Sequence, residues 1–175
     1  PVRVAPGQSL LRKVRDVLCN TGFSETIHFS FIEREKAEGY LSSFATTEDQ
    51  VIPLKNPLSS ESDTMRTSLI PGLLKTVSSN LSKGQKPLKL FEIGSVYYSD
   101  LQGHQKEKKV LTALVLGSYE LTPWKSRGKE YDFYDLKGAL EKLFGQCGLI
   151  ADFSTCNQKP FLLPDKSIFL KSGGR

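Results

Sequence analysis

Cysteine is scarce in this sequence: Cys19, Cys147 and Cys156 are its three, an odd number with no CxxC spacing among them. That pattern argues against a disulfide framework and against a zinc site, and the thiols read as reduced cytosolic ones. Histidine is scarcer still, with His28 and His104 alone. Neither has a serine, cysteine or carboxylate at motif spacing, so both read as structural or solvated side chains, and no Ser/His/Asp arrangement follows. Long apolar runs are also missing. Stretches such as Leu114-Val115-Leu116 fall far short of the roughly 20 residues that cross hydrocarbon, and no basic-then-apolar leader opens the chain. A cytoplasmic protein with no membrane association is expected.

Excess charge is modest. Lysine and arginine number 24 against 19 acidic residues, a formal charge of +5, inside the magnitude of about 2–8 that keeps a small domain soluble. A polyanionic partner is allowed but not required, and an ordinary mixed surface is favoured over a nucleic-acid footprint. Hydrophobic residues at 38% and aromatics at 10% of 175 residues are enough for one buried core. The whole span, 1–175, is therefore expected to be a single domain. Pro1 at the front, Met65 as the sole methionine and the Ser172-Gly173-Gly174-Arg175 end read as an excised piece of a longer protein.

Periodicity supplies the elements. Leu10, Leu11, Val14, Val17 and Leu18 form one helical stripe between Gln8 and Thr21, with Ser9 placed to cap it and Gly22 to end it. Ile27, Phe29 and Phe31 then alternate with His28 and Ser30, the period of a half-buried strand. A short charged helix is expected over Glu33–Glu38, a polar loop over Ser42–Asp49, an extended segment at Val51–Leu54 and a turn at Asn56-Pro57-Leu58. Ser59–Asp63 favours a helix start. Pro71 opens a helix carrying Leu73, Leu74, Val77 and Leu81, which ends near Lys83-Gly84. Leu88–Tyr98 is a long strand in which Gly94 marks a bulge or a close neighbour. A charged loop, Leu101–Lys109, leads to a second strand at Val110–Leu116, and the two should pair antiparallel. A polar connection, Tyr119–Glu130, holds Trp124 and a Lys125/Arg127/Lys129 cluster. Asp135 then caps a helix with Leu136, Leu140, Leu143 and Phe144 inward, and Phe153, Ile168, Phe169 and Leu170 supply late strands. Strands interleaved with helices by hairpins predict an α+β fold, an antiparallel sheet flanked by helices.

Candidate chemistry is sparse. Gly84-Gln85-Lys86 lacks the glycines of a phosphate loop, and Lys83, Lys86 and Lys89 read first as a solvated turn and second as a contact to a phosphate backbone. Asp135 reads as a helix cap ahead of a metal site, to which Asp132 would bring one ligand at most. Arg66 lies near Glu61 and Asp63, so local pairing is the plain reading and an interdomain contact the sharper one.

Four segments in order carry a resemblance. Asn56-Pro57-Leu58-Ser59, Met65-Arg66-Thr67-Ser68-Leu69-Ile70-Pro71-Gly72-Leu73-Leu74, Leu90-Phe91-Glu92-Ile93-Gly94 and Asp132-Phe133-Tyr134-Asp135-Leu136-Lys137-Gly138 resemble the synthetase-like core of bacterial phenylalanyl-tRNA synthetase β subunits, over about Arg3 to the end. The resemblance implies a class II aminoacyl-tRNA synthetase-like core that is catalytically inactive. It also implies a partner α subunit in a heterotetramer of two α and two β, with tRNA(Phe), ATP and Mg2+ belonging to the parent ligase and no cofactor in this chain. Active class II enzymes end a strand with an arginine that neutralises the ATP α-phosphate. In Gly94-Ser95-Val96-Tyr97-Tyr98-Ser99-Asp100 the equivalent position is Tyr98, a phenol with no permanent charge. Ser9–Thr21 and Glu25–Phe31 resemble the family's interface motif, which packs one core against another. Leu163-Pro164-Asp165 stands where the family often has His-Pro-Gly. Catalytic, cofactor-binding and metal-ligating residues are accordingly expected to be none. The alternatives are an active class II-like ligase domain and a basic nucleic-acid-binding module.

Overall fold

The computed structural model describes residues 6–41, 50–57, 59–119, 128–155 and 167–173. Leu58, Trp124, Lys125, Arg127, Cys156 and the Leu163-Pro164-Asp165 stretch, as well as the Ser42–Asp49 loop, lie outside the described residues.

The predicted first helix, α1, spans Pro6–Asn20. It starts at a proline, whose fixed φ suits the first turn, so Ser9 lies within that turn and does not cap it. Gly22 ends the helix at φ 84°, in the left-handed region that favours glycine. Two short strands follow, β1 (Ser24–Glu25) and β2 (Phe31–Ile32), then α2 (Arg34–Gly39), a 3-10 turn at Ser60–Ser62 and β3 (Thr64–Met65). Helix α3 (Ile70–Ser82) leads into the long pair β4 (Leu88–Ser99) and β5 (Gln105–Leu116). The strands β6 (Ser118–Tyr119) and β7 (Lys129–Glu130), helix α4 (Phe133–Cys147) and the hairpin β8 (Ile150–Thr155) and β9 (Ile168–Gly173) complete the order.

The α+β architecture holds, and helices flank the sheet as expected. β4 and β5 pair antiparallel, residue for residue, from Leu88 opposite Leu116 to Ser99 opposite Gln105. This unbroken register selects between the two readings of Gly94: it faces Val110 without a bulge, so the glycine serves a close neighbour. Strand β5 starts earlier than expected, because Gln105–Lys109 joins the ladder with its side chains in water. The turn is thus confined to Leu101–His104, where the Asp100 carboxylate accepts from the N–H groups of Gln102 and His104 at 3.0 and 2.9 Å. β1 departs from the antiparallel expectation by pairing parallel to β4, Ser24 opposite Leu90. The two strands are far apart in sequence, so no hairpin turn dictates their direction.

Alternation along β4 divides the interior into two layers. Phe91 and Ile93 face α1 and α4, where Leu18, Phe23 and Ala139 are buried with them. Leu88 and Leu90 face α3 and its Leu73 and Val77, and Val96 meets Leu69 and Val110. Each fully buried side chain of this size contributes about 1.5–3 kcal/mol by leaving water. Over Leu88–Ile93 both faces of the ladder are therefore covered by helix.

Helix α4 corrects the expected cap. Asp132 is the N-cap, its carboxylate accepting from the N–H groups of Tyr134 and Asp135, while Asp135 returns a side-chain acceptor to the N–H of Asp132 at 2.9 Å. A carboxylate at N3 closes the reciprocal capping box, so the residue expected as cap is its second member. Gly148 ends the helix at φ 70°.

Candidate functional site

The segment between β1 and β2 does alternate with period two, but with the opposite sense to the one expected of a half-buried strand. Ile27 and Phe29 are 88% and 85% exposed, and Phe31 37%, while His28 turns inward. An alternating pattern fixes which residues share a face but not which face meets the core. Here a buried polar cluster decides it.

That cluster gathers residues from four parts of the chain. The Nδ1 of His28 lies 2.6 Å from Glu92 Oε2, and its Nε2 lies 2.7 Å from the Thr76 hydroxyl on α3. Arg66 donates from Nη1 to Glu92 Oε1 at 2.7 Å and from Nε to the Ser95 carbonyl at 2.8 Å. Arg66 and Glu92 side chains are only 7% and 3% exposed, so each depends on the other for charge compensation. An ionised Glu92 can only accept, which assigns a proton to His28 Nδ1; the Thr76 hydroxyl can then donate to a neutral Nε2. Arg66 thus pairs neither locally with Glu61 or Asp63 nor across a domain boundary, but with a carboxylate on β4.

Two glycines make room for this arrangement. A Cβ on Gly72, in the first turn of α3, would lie 2.7 Å from His28 Cγ. A Cβ on Gly94 would collide with the Arg66 guanidinium and reach 3.0 Å from Leu69 Cδ2. The cluster therefore gives one shared role to residues of two motifs: Arg66 and Gly72 in one, Glu92 and Gly94 in the other. A signal was present, since Glu92 interrupts an apolar strand between Phe91 and Ile93 and a carboxylate there requires a buried partner.

The backbone of the exposed segment is held from beneath. Thr26 N–H donates to the Phe91 carbonyl at 2.7 Å, and the N–H of Arg66 to the Ser30 carbonyl at 2.9 Å. The His28 N–H points to Glu92 Oε1 at 3.4 Å, and Arg66 Nη1 reaches the His28 carbonyl at 3.3 Å. Ile27 and Phe29 are left projecting from the sheet edge as an apolar ridge. Contiguous exposed apolar patches are the kind of surface that interaction sites use.

The other candidates are placed elsewhere. His104 is exposed at the hairpin turn, its Nδ1 3.2 Å from Asp100 Oδ2. The bond from the His104 N–H, helped by the Lys106 ammonium and the His104 side chain, holds the Asp100 carboxyl below the ordinary carboxylate value against partial desolvation. Lys83 and Lys86 are exposed, but Lys89 is drawn away to the Thr21 carbonyl at 3.3 Å and over the Phe23 and Tyr131 rings at 5.5 and 4.9 Å. The three lysines do not form one cationic face. Tyr98 lies near the end of β4, opposite Lys106. For Asp132, partial desolvation raises the carboxyl, but the N–H groups of Tyr134 and Asp135 and the Lys129 ammonium outweigh it and hold it below the ordinary value. Among the described residues no three His, Cys, Asp or Glu side chains are grouped to hold a metal ion, and no helix is long and apolar enough to cross a membrane.

Comparison with known proteins agrees with the resemblance. The family model described as "Phenylalanyl tRNA synthetase beta chain CLM domain" matches residues 2–175. The phenylalanine–tRNA ligase beta subunit of Dehalococcoides mccartyi is 33% identical over 163 residues, covering 93% of this chain and 20% of that protein. The corresponding subunit of Syntrophus aciditrophicus is 38% identical over 141 residues, covering 80% of this chain and 18% of that one. The chain thus spans about a fifth of the length of these relatives. In fold it is similar to a pyrrolysyl-tRNA synthetase of Desulfitobacterium hafniense, with a TM-score of 0.59 at 21% identity, over 87% of this chain and 50% of that one. On the full-length family match and these relatives, the chain belongs to the phenylalanyl-tRNA synthetase beta chain family, as its CLM domain.

Proposed function

We propose that this chain is the non-catalytic core of a phenylalanine–tRNA ligase β subunit and that it scaffolds a catalytic α subunit, docking through the ridge of Ile27, Phe29 and Phe31. The observation that carries the reading is the outward placement of Ile27 and Phe29, 88% and 85% exposed, on a segment resembling the interface motif of a family whose relatives are named as subunits. The assembly, a cytoplasmic heterotetramer of two α and two β, would join phenylalanine to tRNA(Phe).

The rest of the chain supports a scaffold over an enzyme. Adenylate chemistry needs a fixed cation near the α-phosphate, because stabilising charge that develops at the transition state is worth several kcal/mol. Tyr98 stands where active class II enzymes have that arginine. The buried Arg66 is committed to Glu92 and the Ser95 carbonyl, and the Leu88–Ile93 part of the ladder is covered by helix on both faces. Nor do the described residues group acidic side chains suited to magnesium. On this reading ATP and magnesium would belong to the α subunit.

The test combines two measurements on the chain and its α subunit. The chain is expected to co-purify with the α subunit and, alone, to show no phenylalanine-dependent ATP–pyrophosphate exchange. Exchange by the chain alone would overturn the non-catalytic reading, and failure to associate would overturn the scaffold.

A further inference from the structure

The docking reading leaves a physical problem. Two large apolar side chains project into water on a segment with a strict period of two, and a shift of one residue would turn both inward and expel His28. Between the end of β1 at Glu25 and the start of β2 at Phe31 no strand ladder holds the register. What remains is a set of contacts that converges on one residue.

We infer that His28 is the positioning residue of the docking ridge: it acts as a peg that anchors the segment in the Arg66–Glu92–Thr76 cluster and so presents Ile27 and Phe29 outward. This rests on the docking reading and adds how the surface is kept in its binding conformation. Four contacts engage His28: Nδ1 with Glu92 at 2.6 Å, Nε2 with Thr76 at 2.7 Å, its N–H with Glu92 Oε1 at 3.4 Å and its carbonyl with Arg66 at 3.3 Å. The ring enters over α3 where Gly72 has no Cβ to block it. Glu92 is itself fixed by Arg66, which is fixed by the Ser95 carbonyl, so the socket belongs to the rigid β4 strand while the peg belongs to the segment. The flanking anchors, Thr26 to Phe91 and Arg66 to Ser30, bound the segment but leave the orientation of residues 27–29 to His28. A segment lacking the peg samples other registers, and a partner that reads Ile27 and Phe29 meets only the fraction of molecules in which both point outward.

The experiment compares His28→Ala, His28→Asn, Thr76→Val and Phe29→Asp in the subunit carrying this chain, with three readouts: affinity for the α subunit, amide exchange at residues 27–30, and thermal unfolding. Loss of the peg that lowers the outward population to about a tenth weakens apparent affinity about tenfold. His28→Ala is therefore expected to bind about tenfold more weakly, with faster exchange concentrated at residues 27–30 and a Tm lowered by the Glu92 oxygen left without its partner. His28→Asn keeps a donor near the position of Nδ1 and is expected to recover most of the affinity. Thr76→Val, which removes one contact from outside the segment, gives a smaller change of the same kind. Wild-type affinity in His28→Ala alongside lost binding in Phe29→Asp would overturn the peg and leave docking intact. Wild-type affinity in Phe29→Asp would overturn docking itself. Weakened affinity in His28→Ala without faster exchange at residues 27–30 would also overturn the peg.

Discussion

Glu92→Ala probes the interior cluster most sharply. The Arg66 and Glu92 side chains are 7% and 3% exposed, with Nη1 and Oε1 2.7 Å apart, so the substitution leaves a guanidinium in a site that water barely reaches. Arg66 keeps the Ser95 carbonyl at 2.8 Å and the His28 carbonyl at 3.3 Å, which are acceptors but carry no compensating charge. Breaking a buried pair on one side costs about 3–5 kcal/mol, and in a domain of this size that lowers Tm by roughly 6–20 °C. Removing both charges in Arg66→Met/Glu92→Leu eliminates the orphaned cation, and such apolar replacements are often close to neutral. The double variant is thus expected to be more stable than Glu92→Ala. Urea unfolding of the wild type, Glu92→Leu, Arg66→Met and the double variant measures the coupling, expected at about 2 kcal/mol or more. A cost below about 1 kcal/mol for Glu92→Ala, or additive single and double effects, would refute the argument that burial makes the two charges interdependent.

Two further outcomes follow from local geometry. Gly94→Ala places a Cβ against the Arg66 guanidinium and 3.0 Å from Leu69 Cδ2, and overpacking of this kind costs about 1–3 kcal/mol; urea unfolding should show that cost shrinking in an Arg66→Met background. The Asp132 carboxyl lies below its ordinary value in the folded chain, so its capping contribution is full above the ordinary carboxylate range and is lost as pH falls through the depressed folded value. The Tm difference between wild type and Asp132→Ala, measured against pH, is expected to be a few degrees near neutrality and to vanish in acid.

Local pattern makes much of this fold legible in the sequence. The stripe of Val14, Val17 and Leu18 announces α1, Pro71 with Leu73 and Val77 announces α3, and the β-rich run from Leu88 announces β4. Long-range choices are different. The alternation at Ile27–Phe31 is visible, but its inward face is set by Glu92, 64 residues away, and no local rule reports that. Arg66 has nearby acids in sequence, yet its partner lies on β4 because α3 folds back over the ladder. The parallel pairing of β1 with β4 and the strand character of Gln105–Lys109 likewise depend on a distant neighbour's backbone. The capping box was half legible: both Asp132 and Asp135 are visible, but which one caps depends on where the first turn begins.

The central claim, that this core docks its α subunit through the outward ridge, is tested most directly by sedimentation of the α subunit with wild-type chain and with Ile27→Asp/Phe29→Asp. Because both side chains are already exposed, the charged variant should keep its fold and its Tm. The account predicts a complex with the wild type and none with the variant. An equally tight complex with both would contradict it.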